Sequence, residues 1–283
     1  MSHKFDRENV DIAWCPGCGN FGILQLIKEV LEELDLTKNN TVIVSGIGQG
    51  AKTPSYIDTN MYGVLHGRAL PAATGIKMAN PNLNVIAEGG DGDMYGEGGN
   101  HFINTIRRNV NIVHIVHNNM VYGLTKGQAS PTSQKGFETK VQIDGVYNEP
   151  FNPLAIALSL KAGFVSRVNI GNPNHAKEVL KEAFMHHGYA LVDIFQPCVT
   201  FNKTNTYRWF KDNTYMIDET YNNADFNLAL EKVFEMMPMP LGILYQNKHS
   251  ALSFEEHIRK TQTNALYLNT HDISKLQNLF DSY

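Results

Sequence analysis

Two sets of residues in this chain have the types and spacing to do chemistry. The first is Gly89-Gly90-Asp91-Gly92-Asp93, followed after 23 intervening residues by His117-Asn118-Asn119. A carboxylate just past one strand and a carboxamide just past the next can converge on one hard cation. Magnesium takes oxygen ligands in a near-octahedral shell and keeps bonds to water or phosphate. Asp91, Asn119 and a backbone carbonyl near Val121 would supply three protein oxygens, leaving places for a diphosphate and a water. Gly89, Gly90 and Gly92 let the backbone come close to that diphosphate, with N–H groups facing it at a helix start. A lone Gly-Asp-Gly is more often a plain turn; the paired asparagines after a second strand weigh against that reading.

The second set is Cys15-Pro16-Gly17-Cys18 together with Cys198, the three cysteines of the chain. Three is too few for a disulfide scaffold, and an odd count suits reduced thiols. A zinc site would want a fourth ligand, and Pro16-Gly17 makes a turn rather than the helix start of a dithiol redox pair.

Elements that alternate must position these residues. Helical spacing of Phe21, Leu24, Ile27, Leu31 and Leu34 predicts a helix after the cysteine loop, with Asn20 as its cap. Strands are predicted at Thr41 to Ser45, Leu83 to Glu88, Ile112 to His117, Phe164 to Val168 and Tyr189 to Phe195. Helices are predicted at Gly67 to Ala79, Tyr95 to Arg108, Pro153 to Gly163 and Asn174 to His187. Near-continuous apolar strands alternating with helices mean a parallel sheet covered on both faces, an α/β fold whose ligands gather beyond the carboxyl ends of the strands. The glycine-rich turns lie at those ends. After about residue 200 the pattern weakens: a polar, aromatic stretch (Tyr207, Trp209, Phe210, Tyr215) precedes one helix around Asp225 to Met236, one strand at Leu241 to Tyr245 and a polar tail. The division expected is an α/β domain over 1–205 and a C-terminal extension over 206–283.

Composition narrows the function classes. Among 283 residues, 24 Lys+Arg against 28 Asp+Glu give a net charge of −4, which leaves no electrostatic footprint for nucleic acid. No apolar run approaches the roughly 18–20 residues that cross a bilayer. The first residues mix charges and lack a signal-peptide core, so a cytoplasmic protein is expected.

Five motifs then occur in order: Trp14-Cys15-Pro16-Gly17-Cys18-Gly19; His66-Gly67-Arg68-Ala69; Gly90-Asp91-Gly92-Asp93; Tyr122-Gly123-Leu124-Thr125-Lys126-Gly127-Gln128-Ala129-Ser130-Pro131-Thr132; and Gln196-Pro197-Cys198-Val199-Thr200-Phe201-Asn202. The third, with the asparagine pair, resembles the thiamine-diphosphate motif. Together, over residues 12–210, they resemble the β subunit of the two-subunit 2-oxoacid:ferredoxin oxidoreductases, of the 2-oxoglutarate type.

The resemblance implies a thiamine-diphosphate-binding fold and oxidative decarboxylation of a 2-oxoacid (2-oxoglutarate or a broad range) to acyl-CoA and carbon dioxide, with electrons passing to ferredoxin. It implies an α subunit as partner, which would supply the glutamate that activates the cofactor; Glu88 and Glu97 qualify here by type alone. It places Gly48, His66, Asp93, Tyr122, Gly123, Leu124 and Thr125 around the cofactor with Gly90, Asp91, Gly92, Asn119 and Val121. His66 serves equally as a helix-start residue with Arg68, and Tyr122 and Leu124 as ordinary packing residues. Lys52 and Lys126 would orient substrate carboxylates, against the plain reading of two solvated lysines. Gln128, Ser130 and Thr132 carry no distinct role in the sequence.

The cysteines depart from the family pattern. Cys15, Cys18 and Cys198 match three ligands of a [4Fe–4S] cluster, but the segment expected to carry the fourth reads Gly46-Ile47-Gly48-Gln49. An amide oxygen is a poor substitute for thiolate. The cluster is retained on three thiolates with Gln49, water or another group at the fourth iron, or becomes a labile or three-iron species, or is lost. Beside the ferredoxin reading stand a non-oxidative thiamine-diphosphate decarboxylase or acyl-transfer component, and a non-catalytic metal-binding subunit.

Overall fold

The computed structural model of the chain describes residues 3–248, 251–260, 263–269 and 274–282. Strands β1 (Thr41–Ser45), β2 (Asn60–Gly63), β3 (Asn84–Gly90), β4 (Ile112–Asn118), β5 (Phe164–Asn169), β6 (Tyr189–Phe195), β7 (Thr214–Met216) and β8 (Met239–Gln246) form one sheet in the order β2-β1-β3-β4-β6-β5-β8-β7. All neighbours run parallel except β5 and β8, so the sheet is mixed rather than wholly parallel.

Strand residues alternate between two cores, as a pleat of period two requires. Ile43, Ile86, Ile115 and Val192 face one core with α1 (Asn20–Glu33) and α5 (Pro173–Met185). Val42, Val44, Val85, Ala87 and Leu191 face the other, with α2 (Ala69–Ala79), α3 (Gly99–Arg108), α4 (Pro153–Ser159) and α7 (Phe226–Lys232). Helices therefore cover both faces, the arrangement expected from continuous apolar strands.

The C-terminal segment builds onto the same sheet. It contributes α6 (Tyr207–Asp212), β7, α7, β8, α8 (Phe254–Arg259) and α9 (Ser274–Phe280). Phe210, Met239 and Leu241 pack against Phe195 and Met120 near the ends of β6 and β4. Strand β2 was not legible in the sequence because its four residues are all exposed, and β7 spans three residues inside an aromatic stretch. Asn20 does not cap α1: Gly19 holds that position, and Asn20 is buried with its amide turned to His117. The helix predicted from Tyr95 begins at Gly99, after a single π-turn over Gly92–Glu97. Such turns displace the backbone locally and recur at functional sites.

Candidate active site

Strands β1, β3 and β4 are consecutive neighbours running the same way, so their carboxyl ends open on one edge of the sheet. Gly90 stands in register with His117, which sets Asp91 beside Asn118 and brings Asn119 one residue further along. A cleft of about 510 Å³, counted to its open mouth, lies there. Asp91, Asn119 and Val121 all line it, with Gly48, His66, Gly90, Gly92, Asp93, Tyr122, Gly123, Leu124 and Thr125. Ile47, Gln49, Gly50 and His117 complete the lining.

Asp91 lies at the bottom, 1% exposed. Its Oδ2 accepts from the Ser130 hydroxyl at 2.5 Å and the Thr132 hydroxyl at 2.6 Å. Burial pushes its carboxyl up to about 6, and the two hydroxyls only partly offset that. Thr132 also contacts Asn118 Oδ1 at 2.9 Å, and Asn118 Nδ2 donates to Asp193 at 3.1 Å. Asp193 in turn is paired with Arg167 at 2.9 Å and accepts from the Tyr95 hydroxyl at 3.0 Å. This fully buried chain of contacts fixes Asp91 from behind. Adjacent asparagines therefore do different things: Asn118 belongs to the support, while Asn119 faces the cleft and accepts from its own loop at Val121 N, 3.1 Å away.

Asp93 is a positioning group. Its Oδ1 accepts from Gly67 N at 2.8 Å and Ile47 N at 3.3 Å and pairs with His66 Nδ1 at 2.6 Å. Burial raises its pKa, while those N–H groups and His66 lower it. One carboxylate thus ties the loops after β1 and before α2 to the start of the π-turn. The approach is so close that a Cβ at Gly46 would lie 2.0 Å from Asp93 Oδ2. Tyr122 closes the opposite wall. Its hydroxyl donates to Glu97 at 3.1 Å, and a Cβ at Gly92 would lie 2.1 Å from its ring.

Lys52 and Lys126 line neither this cleft nor the cysteine cavity; Lys126 is exposed, at a φ of 73°. Glu97 is occupied by Tyr122, and buried Glu88 lies 2.6 Å from His117 Nε2, whose Nδ1 lies 2.9 Å from Asn20 Oδ1. Neither glutamate lines the cleft.

The three cysteines, all free, line a second cavity with Trp14, Asn20, Gln49, Asn119, Gly123, Val199, Thr200 and Phe201. A turn closed by Cys18 N donating to Cys15 O, 3.0 Å, presents the first two. The Cys198 loop is tied to the cleft by Asn202, whose amide donates to Asn119 O at 3.0 Å. Tyr207, on α6, reaches the Gly17 carbonyl at 3.3 Å and covers the turn. Burial, with the other two sulfurs nearby, pushes the Cys18 thiol up to about 11. Gln49, Asn119 and Gly123 line both cavities, so the two sites share a wall.

Residues 40–194 match the family described as thiamine pyrophosphate enzyme, C-terminal TPP binding domain, and residues 198–263 match the C-terminal region of the pyruvate ferredoxin oxidoreductase beta subunit. A 2-oxoacid:ferredoxin oxidoreductase subunit beta from Sulfolobus sp is 44% identical over 260 residues, covering 87% of this chain and 85% of that one. This chain belongs to the β subunits of the 2-oxoacid:ferredoxin oxidoreductases. Among other relatives, the 2-oxoglutarate oxidoreductase subunit KorB of Mycobacterium tuberculosis is 45% identical over 192 residues, 68% of this chain and 52% of that one. The β subunit also superposes, with a TM-score of 0.90 and 35% identity, on a solved 2-oxoglutarate:ferredoxin oxidoreductase from Magnetococcus marinus bound to 2-oxoglutarate, coenzyme A and succinyl-CoA; 97% of this chain and 94% of that chain are covered. Membership makes the chain an enzyme component, so the non-catalytic reading falls. Among the described residues no helix is long and apolar enough to cross a membrane.

Ser130, Thr132 and Asn202 are among the site residues that sequence reasoning did not assign. All three lie within the five ordered motifs, but hydroxyls and amides serve so many ends that only their placement against Asp91 and Asn119 discloses a role.

Proposed function

We propose that this subunit binds thiamine diphosphate and magnesium in the cleft at the carboxyl ends of β1, β3 and β4, and oxidatively decarboxylates a 2-oxoacid together with an α subunit. The products are acyl-CoA and carbon dioxide, with electrons leaving through the cysteine site to ferredoxin. One observation carries this: a buried carboxylate and a carboxamide, both hard oxygen donors, face one cleft that shares a wall with three thiols. The donor set suits magnesium, because a carboxylate pushed up by burial gains most from a nearby divalent charge. Asp91 and Asn119 with the Val121 carbonyl would hold the ion and the diphosphate. Thiamine diphosphate supplies the nucleophilic carbon and the electron sink that decarboxylation needs.

The rest is done by the chain. Ser130 and Thr132 hold Asp91 in one orientation; Asp93 holds the Ile47 and Gly67 loops beside the cofactor; Tyr122 and Leu124 form part of the cleft wall. The activating glutamate is supplied by the α subunit, since Glu88 and Glu97 are engaged elsewhere. 2-Oxoglutarate is the favoured substrate, in line with the bound ligand of the Magnetococcus enzyme and the name of the mycobacterial relative.

Co-purification with the α subunit under anaerobic conditions tests the reading. Expected is coenzyme A-dependent ferredoxin reduction with 2-oxoglutarate faster than with pyruvate, lost on Asp91→Ala. Acyl transfer without ferredoxin reduction would make the enzyme non-oxidative, and binding of the cofactor undiminished by Asp91→Ala would overturn the site.

A further inference from the structure

We infer that the cysteine cavity holds an iron–sulfur cluster on three protein thiolates, its fourth corner facing Gln49 and lacking a protein ligand. The inference rests on the electron path of the proposed function and goes beyond it in fixing the species. Cys15, Cys18 and Cys198 reach the cavity from two distant segments, and Gln49, at the position where the family pattern has its fourth cysteine, lines the cavity with them. Its backbone is pinned there by Trp14, whose indole N–H donates to Gln49 O at 2.9 Å. A Cβ at Gly123 would lie 3.8 Å from Cys198 Sγ and 3.9 Å from Gln49 Cγ, so the thiol and the glutamine both approach the same glycine.

The polar groups of this wall point to an occupant. Gln49 Oε1 is buried without a hydrogen-bond partner among the described residues, and so is Nδ2 of Asn20, a residue 0% exposed that lines the same cavity. Leaving a buried polar group unpaired is costly, so two around one cavity mark a site built for something polar. Cluster sulfides accept hydrogen bonds, which suits the Asn20 amide. A single zinc ion suits the site less well. No three His, Cys, Asp or Glu side chains among the described residues gather tightly enough for one ion. The amide oxygen is too hard to replace a thiolate on iron bound to sulfide. Because Gln49 also lines the thiamine cleft, the corner without a thiolate lies on the cleft side.

Iron at such a corner leaves easily. The anaerobically purified complex is expected to carry about three irons per cysteine site and, oxidised, to show the electron paramagnetic resonance of a three-iron cluster. Ferrous iron with dithiothreitol, which supplies the one electron needed, should convert it to the four-iron form and abolish that signal. Gln49→Cys should carry about four irons without added metal and keep them against a chelator that strips the wild type. Gln49→Ala should match the wild type in iron content and resonance. A wild-type four-iron cluster as chelator-resistant as that of Gln49→Cys would overturn the inference alone. A changed resonance in Gln49→Ala would make the amide a ligand and also overturn it. Zinc in the site, or no iron in either wild type or Gln49→Cys, would remove the cluster and, with it, the proposed electron path.

Discussion

Asp91→Asn should make the metal-free protein more stable while it abolishes cofactor binding. In the folded chain the Asp91 carboxyl sits at about 6 against an ordinary value of 3.8, and the cause is burial. The folded state therefore binds its proton more tightly than the unfolded state, and stability falls as pH rises from about 4 to about 6. Above that window the ionised group costs the full difference between the two values, about 3 kcal/mol. Both hydroxyl donors lie on Oδ2, so an asparagine with its oxygen there keeps Ser130 and Thr132 satisfied and carries no charge. Denaturant titrations of protein stripped with a chelator should show the variant more stable by about 3 kcal/mol at pH 7.5 and by about half that at pH 5. Near neutral pH that corresponds to a rise of about 5 °C in melting temperature for a chain of this size. Adding magnesium and thiamine diphosphate should stabilise the wild type by mass action and leave the variant unmoved. A variant less stable than the metal-free wild type at pH 7.5, or a difference that does not shrink toward pH 5, would refute the assignment of Asp91 as a carboxylate held for a cation.

Other perturbations test the supports. Gly92→Ala puts a methyl into the Tyr122 ring and should cost about 1–3 kcal/mol with weaker cofactor binding by calorimetry; Tyr122→Ala in the same chain should recover much of the stability. Arg167→Met leaves Asp193 buried without its cation and should cost about 3–5 kcal/mol in denaturant titration, with Arg167→Met/Asp193→Asn less damaging than the single change. His114, buried against the Tyr189 hydroxyl, is pushed down to about 3, so it disfavours the folded state as pH falls from about 6.5. His114→Gln should flatten that acid limb, opposite in sign to Asp91, when melting is followed from pH 7 to 5. Lys52→Ala and Lys126→Ala should leave thiamine-diphosphate affinity unchanged, because neither side chain lines the cleft; a calorimetric loss of tenfold or more in either would place that lysine in the site.

What could be read from the chain follows from how many jobs a residue type can do. Apolar runs such as Val42-Ile43-Val44 have one way to satisfy both faces of a covered strand, so β1, β3, β4, β5 and β6 were legible nearly to the residue. Given those strands, parallel neighbours put Asp91 and Asn119 together. Exposed Asn60–Gly63 gains strand structure from pairing with β1, a tertiary cause with no local trace. Asn20 illustrates the same limit from the other side. Its type and place suit a helix cap, yet the burial of His117 and Glu88 next to it claims the amide first. Ser130 and Thr132 were silent for a related reason: a hydroxyl acquires a role only when a buried carboxylate is brought to it, and that depends on the long segment between β4 and α4 folding back over the sheet edge. Gln49 reverses the logic. A residue that fits its neighbours poorly, lining the cavity of the three thiols with a buried oxygen that has no donor among the described residues, says more about the cavity than one that fits well.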